Sequence, residues 1–255
     1  MKNELKVIAR IETDYKTKFG IPRQSGLVDL EALIVFEPEY RNDDALRGIE
    51  EFSHLWLIWN FSLAERDEWS PTVRPPRLGG NKRMGVFATR SPFRPNPIGL
   101  SSVKLLGTVK TEKGLCLRVS GADLMNGTPI YDIKPYLPYT DSHPDAKGGF
   151  ASDKMGENLE VNFPKELENL IPENKRVSLL EILSEDPRPH YINDENRVYG
   201  FEFGGFEIKF KVSEKVLTVT EVINKYPPRR ETLHKDVFSL LSFYIKIDTF
   251  GLKVS

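Results

Sequence analysis

The chain has 255 residues, 39% of them hydrophobic, 11% aromatic and 29% charged, with a formal net charge of −1. That is enough apolar material for a sizeable core, in one large domain or in a medium one with an appendage. No apolar run approaches the ~20 residues that cross a bilayer, MKNELKVIARIETDY is charged throughout rather than apolar like a secretory leader, and the lone Cys116 excludes an intrachain disulfide and argues against a cysteine metal site. The expected compartment is the cytoplasm.

In chain order, ELKVIARIE, EALIVFE, HLWLIWNF, MGVFAT, LSSVKLLGTV, GLCLRVS and PIYDIKPYL have the β-branched and aromatic content of strands, between turn signals. In HLWLIWNF the alternation puts His54, Trp56 and Ile58 on one face and Leu55, Leu57 and Trp59 on the other. Both faces are largely apolar, which predicts a strand buried on both sides. One helix is predicted, over RNDDALRGIEEF, with Asn42 or Asp43 as its cap. The chain is expected to be mainly β, with residues 1–140 forming a barrel or sandwich.

The turn-rich 141–163 reads as a linker. Residues 164–225 read as a small C-terminal α+β domain. Pro172 splits its helical stretch, and the second piece carries Val177, Leu180 and Leu183 on one face. A three-stranded meander follows, turning at Gly204-Gly205 and Ser213-Glu214. Residues 226–255 fit neither unit and read as an extension of unknown role.

The common signatures are missing. There is no dinucleotide-binding glycine fingerprint, no Walker A loop and no G-x-S-x-G elbow, and the four histidines have no metal-ligand spacing. No metal is expected. The net charge of −1 hides an asymmetry: from Trp69 to Thr111 there is no acidic residue, while Arg74, Arg77, Lys82, Arg83, Arg90, Arg94, Lys104 and Lys110 all fall there. Such a window is either a solvated basic face or an anion-binding surface. Its placement on Pro/Gly-rich loop favours the second. In GVFATRSPFRPNPIGLS, prolines preset the backbone, so little entropy is lost when a ligand docks. Phe93 beside arginines pairs a stacking face with phosphate-seeking cations. FGIPRQSGL and GADLMNGTPIYDIKPYLPY are the other chemically rich loops, though an ordinary surface turn and a hairpin would account for much of each.

Taken together, PRQSGL, LRGIEEFSHLWLIW, PTVRPPRLGGNKRMGVFATRSPFRPNPIGLS, DLMNGTPIYDIKPYLPY and DPRPHY resemble, in order, the signature blocks of the TrmO/TsaA-like family. Its members are S-adenosylmethionine-dependent tRNA methyltransferases that modify N6 of threonylcarbamoyladenosine beside the anticodon. The resemblance implies a non-Rossmann N-terminal β-barrel that binds S-adenosylmethionine, a small C-terminal domain, a homodimer and the tRNA anticodon stem-loop as partner. By matching motifs, the implied cofactor contacts are Pro22, Arg23, Gln24, His54, Leu55, Arg90, Leu100, Asp123, Leu124, Met125 and Asn126. The family block often reads D-L-V-D-G, so Asn126 stands where a carboxylate is usual. A side-chain hydrogen bond survives that change and a charge-based role does not.

Arg23 or Arg90 suits the cofactor's carboxylate, and Asp123 its ribose hydroxyls or ammonium. Asn96, between two prolines, is the catalytic candidate for orienting N6, by chemical analogy with amino-methylating enzymes of other folds; turn capping is its plainer role. Arg74, Arg77, Lys82, Arg83, Phe93 and Arg94, with Arg188 and Tyr191 from the small domain, are the candidate RNA contacts. Two alternatives stay open: a non-catalytic RNA-binding barrel, and a methyltransferase with another acceptor.

Overall fold

The seven apolar runs of the first half supply seven of its eight strands, all but β4, in a computed structural model, which describes residues 4–64, 68–75, 78, 82–154, 158–188 and 194–226. They are β1 (Ala9–Glu12), β2 (Glu31–Phe36), β3 (His54–Asn60), β4 (Thr72–Val73), β5 (Met84–Gly85), β6 (Ile98–Thr111), β7 (Gly114–Ser120) and β8 (Pro129–Pro135). Six of them hydrogen-bond in a closed ring, β1-β2-β7-β6-β3-β8, every neighbour antiparallel. A ring has one inside, and period-two alternation fills it: Ile11, Ile34, Leu55, Leu57, Leu117 and Ile130 are fully buried there.

That geometry corrects the reading of β3. Leu55, Leu57 and Trp59 are buried, but His54, Trp56 and Ile58 on the outer face are only half-buried. The outer face is partly roofed instead: the Trp56 indole donates to Asp141 at 2.7 Å and packs against Tyr136 with ring centroids 5.5 Å apart. MGVFAT is likewise only briefly a strand. After β5 it folds into a 3-10 turn, Val86–Ala88, anchored by buried Val86.

The helix predicted over 41–52 does not form. Asn42 does cap, accepting from the Asp44 N–H at 3.0 Å, but the chain makes two 3-10 turns, Asp43–Leu46 and Ile49–Glu51. Gly48 stands between them at φ 82°, a left-handed conformation that ends helical propagation. Leu46 and Ile49 pack down on the barrel core from these turns.

After the short helix α1 (Pro138–Asp141), the chain builds a second sheet from β9 (Glu160–Asn162), β10 (Tyr199–Phe203), β11 (Phe206–Ser213) and β12 (Val216–Asn224), in the order β10-β11-β12-β9. The meander is as predicted apart from a one-residue shift of its second turn. β9, parallel to β12, lies inside 141–163, so the last part of that expected linker is a strand. Two helices flank the predicted break at Pro172, α2 (Lys165–Glu168) and α3 (Glu173–Ser184). The buried face of α3 is Ser178, Leu179, Ile182 and Leu183, not Val177, Leu180 and Leu183; Val177 is 65% exposed. A polar residue inside the buried stripe hid that face: the Ser178 hydroxyl donates to the Asp29 carbonyl at 2.8 Å.

The second core is not made by the C-terminal half alone. Tyr15, Val28 and Leu30, from the connection between β1 and β2, are buried in it with Phe203, Phe210 and Leu179. Asp29 adds polar ties, its N–H donating to Glu181 at 2.9 Å and its carboxylate accepting from Ser120 on β7. Lys175 pairs with Asp14 across the same boundary. Residues up to Lys225 form one compact unit; beyond it only Tyr226 is described, and its side chain is exposed.

Candidate functional site

Three loops meet beside the barrel: 20–26 after β1, 86–97 before β6, and 121–128 between β7 and β8. Backbone bonds hold the first to the third, with the Gly26 N–H donating to the Gly121 carbonyl at 2.8 Å. Side chains then tie the first to the second. Arg90 donates from Nη1 to Oε1 of Gln24, whose amide nitrogen donates to the Arg23 carbonyl at 2.5 Å.

Asp123 closes the arrangement from the third loop. Its Oδ1 accepts from the Ser101 hydroxyl at 2.5 Å, and that hydroxyl accepts from the Trp59 indole N–H at 3.0 Å. The chain Trp59–Ser101–Asp123 thus runs from the barrel core outwards. Burial pushes the Asp123 carboxyl above the ordinary carboxylate range; the Ser101 bond, its own backbone, the Arg90 charge and the Ser25 backbone pull it back down. The site therefore offers a partly desolvated carboxylate facing an exposed guanidinium, an arrangement suited to a zwitterionic ligand.

The Trp59–Ser101 bond depends on Gly99, directly across from Trp59 in the β3–β6 register. A Cβ there would lie 2.2 Å from Cε2 of Trp59, so the indole occupies the space of the missing side chain. Ser101 is 1% exposed on the inward face of β6. Sequence reasoning overlooked it, although a serine in an inward strand position already signals a hydrogen-bonding duty.

The structure brings together Gln24, Arg90 and Asp123, with Pro22 buried and Arg23 half-buried beside them in the first loop. One Arg23 guanidinium N–H is used on the Asp186 carbonyl at 2.9 Å. Leu55 and Leu124 are fully buried in the barrel core, so only their backbone atoms remain to meet a ligand. Leu100 is 56% exposed on the face of β6 opposite to Ser101. His54 sits on the outer face across from Lys104 rather than from Ser101, its Nδ1 2.9 Å from the Ser53 hydroxyl. Asn126 turns the other way: its Oδ1 accepts from the Thr13 N–H at 3.0 Å, bracing the β1 end. Met125 is half-buried, its carbonyl accepting from Thr128 at 2.6 Å.

The Pro-rich loop is braced from within. Arg94 donates to the Thr89 carbonyl at 3.3 Å, the Phe93 N–H to the Ser91 hydroxyl at 3.2 Å, and the Ile98 N–H to the Asn96 carbonyl at 2.7 Å. The Asn96 side chain is exposed. Arg74, Lys82 and Arg83 are exposed, and no ion pair seen among the described residues engages them. Arg188 differs: it is 13% exposed, and its guanidinium clasps Asp186 at 2.8 and 3.0 Å. Arg77 and Tyr191 lie outside the described residues. Among the described residues no group of His, Cys, Asp or Glu is placed to hold a metal ion, and no helix is long and apolar enough to cross a membrane.

Comparison with known proteins matches both halves. Residues 10–142 fit the family model for the tRNA-methyltransferase O N-terminal domain, and residues 156–225 that for the TrmO C-terminal domain. An Escherichia coli (strain K12) protein named tRNA (adenine(37)-N6)-methyltransferase is 44% identical over 217 residues, 81% of this chain and 92% of its own. A Methanothermobacter thermautotrophicus protein named "Probable S-adenosyl-L-methionine-binding protein" is 39% identical over 142 residues, 56% of this chain and 96% of its own. The crystal structure of TrmO from Pseudomonas aeruginosa superposes with a TM-score of 0.71 at 32% identity, covering 88% of this chain and 98% of that one. This chain belongs to the tRNA-methyltransferase O family.

Proposed function

We propose that this protein transfers a methyl group from S-adenosylmethionine to N6 of the adenine at position 37 of tRNA, the reaction for which its relative is named. We further propose that the acceptor is threonylcarbamoyladenosine and that the enzyme acts as a homodimer. The observation that carries the reading is a pair of side-chain contacts, Gln24–Arg90 and Ser101–Asp123, with the Arg90 charge acting on Asp123. Two of these residues, Arg90 and Ser101, belong to the chain segment from Trp69 to Thr111, which contains no acidic residue.

The residues fit the cofactor's chemistry: Arg90 is an exposed cation and Asp123 a partly buried anion, already oriented by Ser101. When bound, S-adenosylmethionine supplies an electrophilic methyl on a sulfonium centre. Arg90 pairs the carboxylate of the methionine moiety, and Arg23, fixed on the Asp186 carbonyl, supports the same loop. Asp123 accepts hydrogen bonds from the ribose hydroxyls or the ammonium. Asn96, on a turn held between Pro95 and Pro97, orients the acceptor nitrogen. The carbamoyl substituent makes the N6 proton more acidic than that of a plain exocyclic amine. A hydrogen-bond acceptor is then sufficient to receive it, and no strong base is required. Arg74, Lys82, Arg83 and Arg94 hold phosphates of the anticodon arm, near Phe93.

The test is methylation of purified tRNA with and without the threonylcarbamoyl group, followed by nucleoside mass spectrometry. A singly methylated threonylcarbamoyladenosine is expected, from the modified tRNA only. Equal methylation of plain adenosine would overturn the acceptor. Absence of any methylated nucleoside would favour a non-catalytic RNA-binding protein. Sedimentation of the same preparation reads the dimer, which a concentration-independent monomer would overturn.

A further inference from the structure

Two large aromatic side chains on the cationic stretch face solvent. Trp69 is 50% exposed and Phe87 72%, with ring centroids 6.1 Å apart and planes tilted by 33°. Backbone structure holds Phe87 there. β4 pairs with β5, Thr72 opposite Gly85 and Val73 opposite Met84. The Val86 N–H donates to the Pro71 carbonyl at 3.0 Å, and buried Val86 pins the 3-10 turn that points Phe87 outwards. Neither ring belongs to the barrel core or to the second core. Leaving an indole and a phenyl ring in water forgoes the stabilisation that burial would bring, so the fold presents them against its own stability.

The charge around the pair limits what covers it. Arg74, Lys82 and Arg83 are exposed on the same hairpin, and the Arg83 guanidinium donates to the Thr72 hydroxyl at 3.4 Å. A second copy of this chain docking here about a two-fold axis would set these cations against themselves. A partner with flat apolar faces and a negative backbone satisfies both features, and unpaired nucleotides have both.

We propose that Trp69 and Phe87 form a stacking platform for an unpaired base of the substrate RNA loop, with Arg74, Lys82 and Arg83 on the flanking phosphates. The proposal rests on the tRNA reading above and adds the place where a base, rather than a phosphate, is gripped. Of the three tryptophans, Trp59 is buried and Trp56 is half-buried with its indole on Asp141, so Trp69 is the one that RNA can cover.

The experiment is titration of the full chain with a stem-loop RNA, read by tryptophan emission and by anisotropy of labelled RNA over a series of salt concentrations. RNA with an open loop should quench emission, and Trp69→Phe should abolish most of the quenching. Trp69→Leu and Phe87→Leu should each weaken binding roughly tenfold, within the range for one lost base–aromatic stack. Both should leave the slope of log Kd against log salt unchanged, because a lost stack releases no phosphate counterion. Equal affinity of the leucine variants and the parent, with the parent still binding and methylating tRNA, would overturn the platform alone. No RNA binding by the parent would overturn the tRNA reading and the platform together. Leucine variants that lose self-association in sedimentation while keeping RNA affinity would make this face a contact between copies, and that too would overturn the proposal.

Discussion

Asp123 is a carboxylate held where a neutral group would sit more easily. Burial raises its pKa in the fold, so the folded chain binds this proton more tightly than the unfolded chain does. Its contribution to stability is full below the unfolded pKa and is lost as pH rises through the folded one. Asp123→Asn, which can still accept from Ser101, should raise the melting temperature near neutral pH, with the gain shrinking as pH falls through the folded pKa. The same variant should bind S-adenosylmethionine more weakly by calorimetry, a trade of ligand affinity against stability. Gly99 supports this carboxylate from behind. Gly99→Ala drives a methyl into the Trp59 ring and should cost about 1–3 kcal/mol by urea unfolding, while also loosening the Trp59–Ser101–Asp123 chain. Gly85→Ala, where a Cβ would meet nothing within 4 Å, is the matched control.

Among the elements, strands were the most legible, because alternating β-branched and aromatic runs between turns have few other solutions. The segment 41–52 departs from the helix expected of it for a definable reason. It has a good cap at Asn42 and helix-forming residues after it, but Gly48 at φ 82° divides it into two tight turns. Had it been a helix, Gly48→Ala would stabilise it; in the left-handed conformation the same change should destabilise by about 1 kcal/mol or more. Thermal unfolding of Gly48→Ala checks the sign. In α3, spacing favours burial of Val177, yet the buried stripe runs through polar Ser178, which bonds to Asp29 far away in the sequence. The site divides in the same way. Of its loops, only TRSPFRPNP is by itself too rich for mere connection; PRQ and the Asp123 loop read singly as an ordinary turn and hairpin, and gain meaning from the family resemblance. That Gln24 reaches Arg90, 66 residues away, and that Ser101 holds Asp123, are products of barrel closure, which local patterns do not encode.

At the scale of the molecule, a net charge of −1 coexists with a face of exposed Arg74, Lys82 and Arg83. A polyanion responds to the local potential of that face rather than to the sum. Lys82→Ala with Arg83→Ala should weaken tRNA binding and lower the salt slope by roughly 1 to 2 units, at about 0.9 per lost phosphate contact, leaving S-adenosylmethionine affinity nearly unchanged. Anisotropy across a salt series and calorimetry read the two quantities separately. The connection between β1 and β2 has a wider effect, since residues 13–30 bury Tyr15, Val28 and Leu30 in the second core and carry Pro22, Arg23 and Gln24 to the candidate site. A ligand gripping that connection stabilises a segment that both cores share, so its binding energy is distributed rather than local. Amide hydrogens of β10 and β11, which belong to the second sheet, should therefore exchange more slowly when S-adenosylmethionine is added. Protection confined to the barrel would mean that the second sheet opens independently of the connection that helps to fill its core.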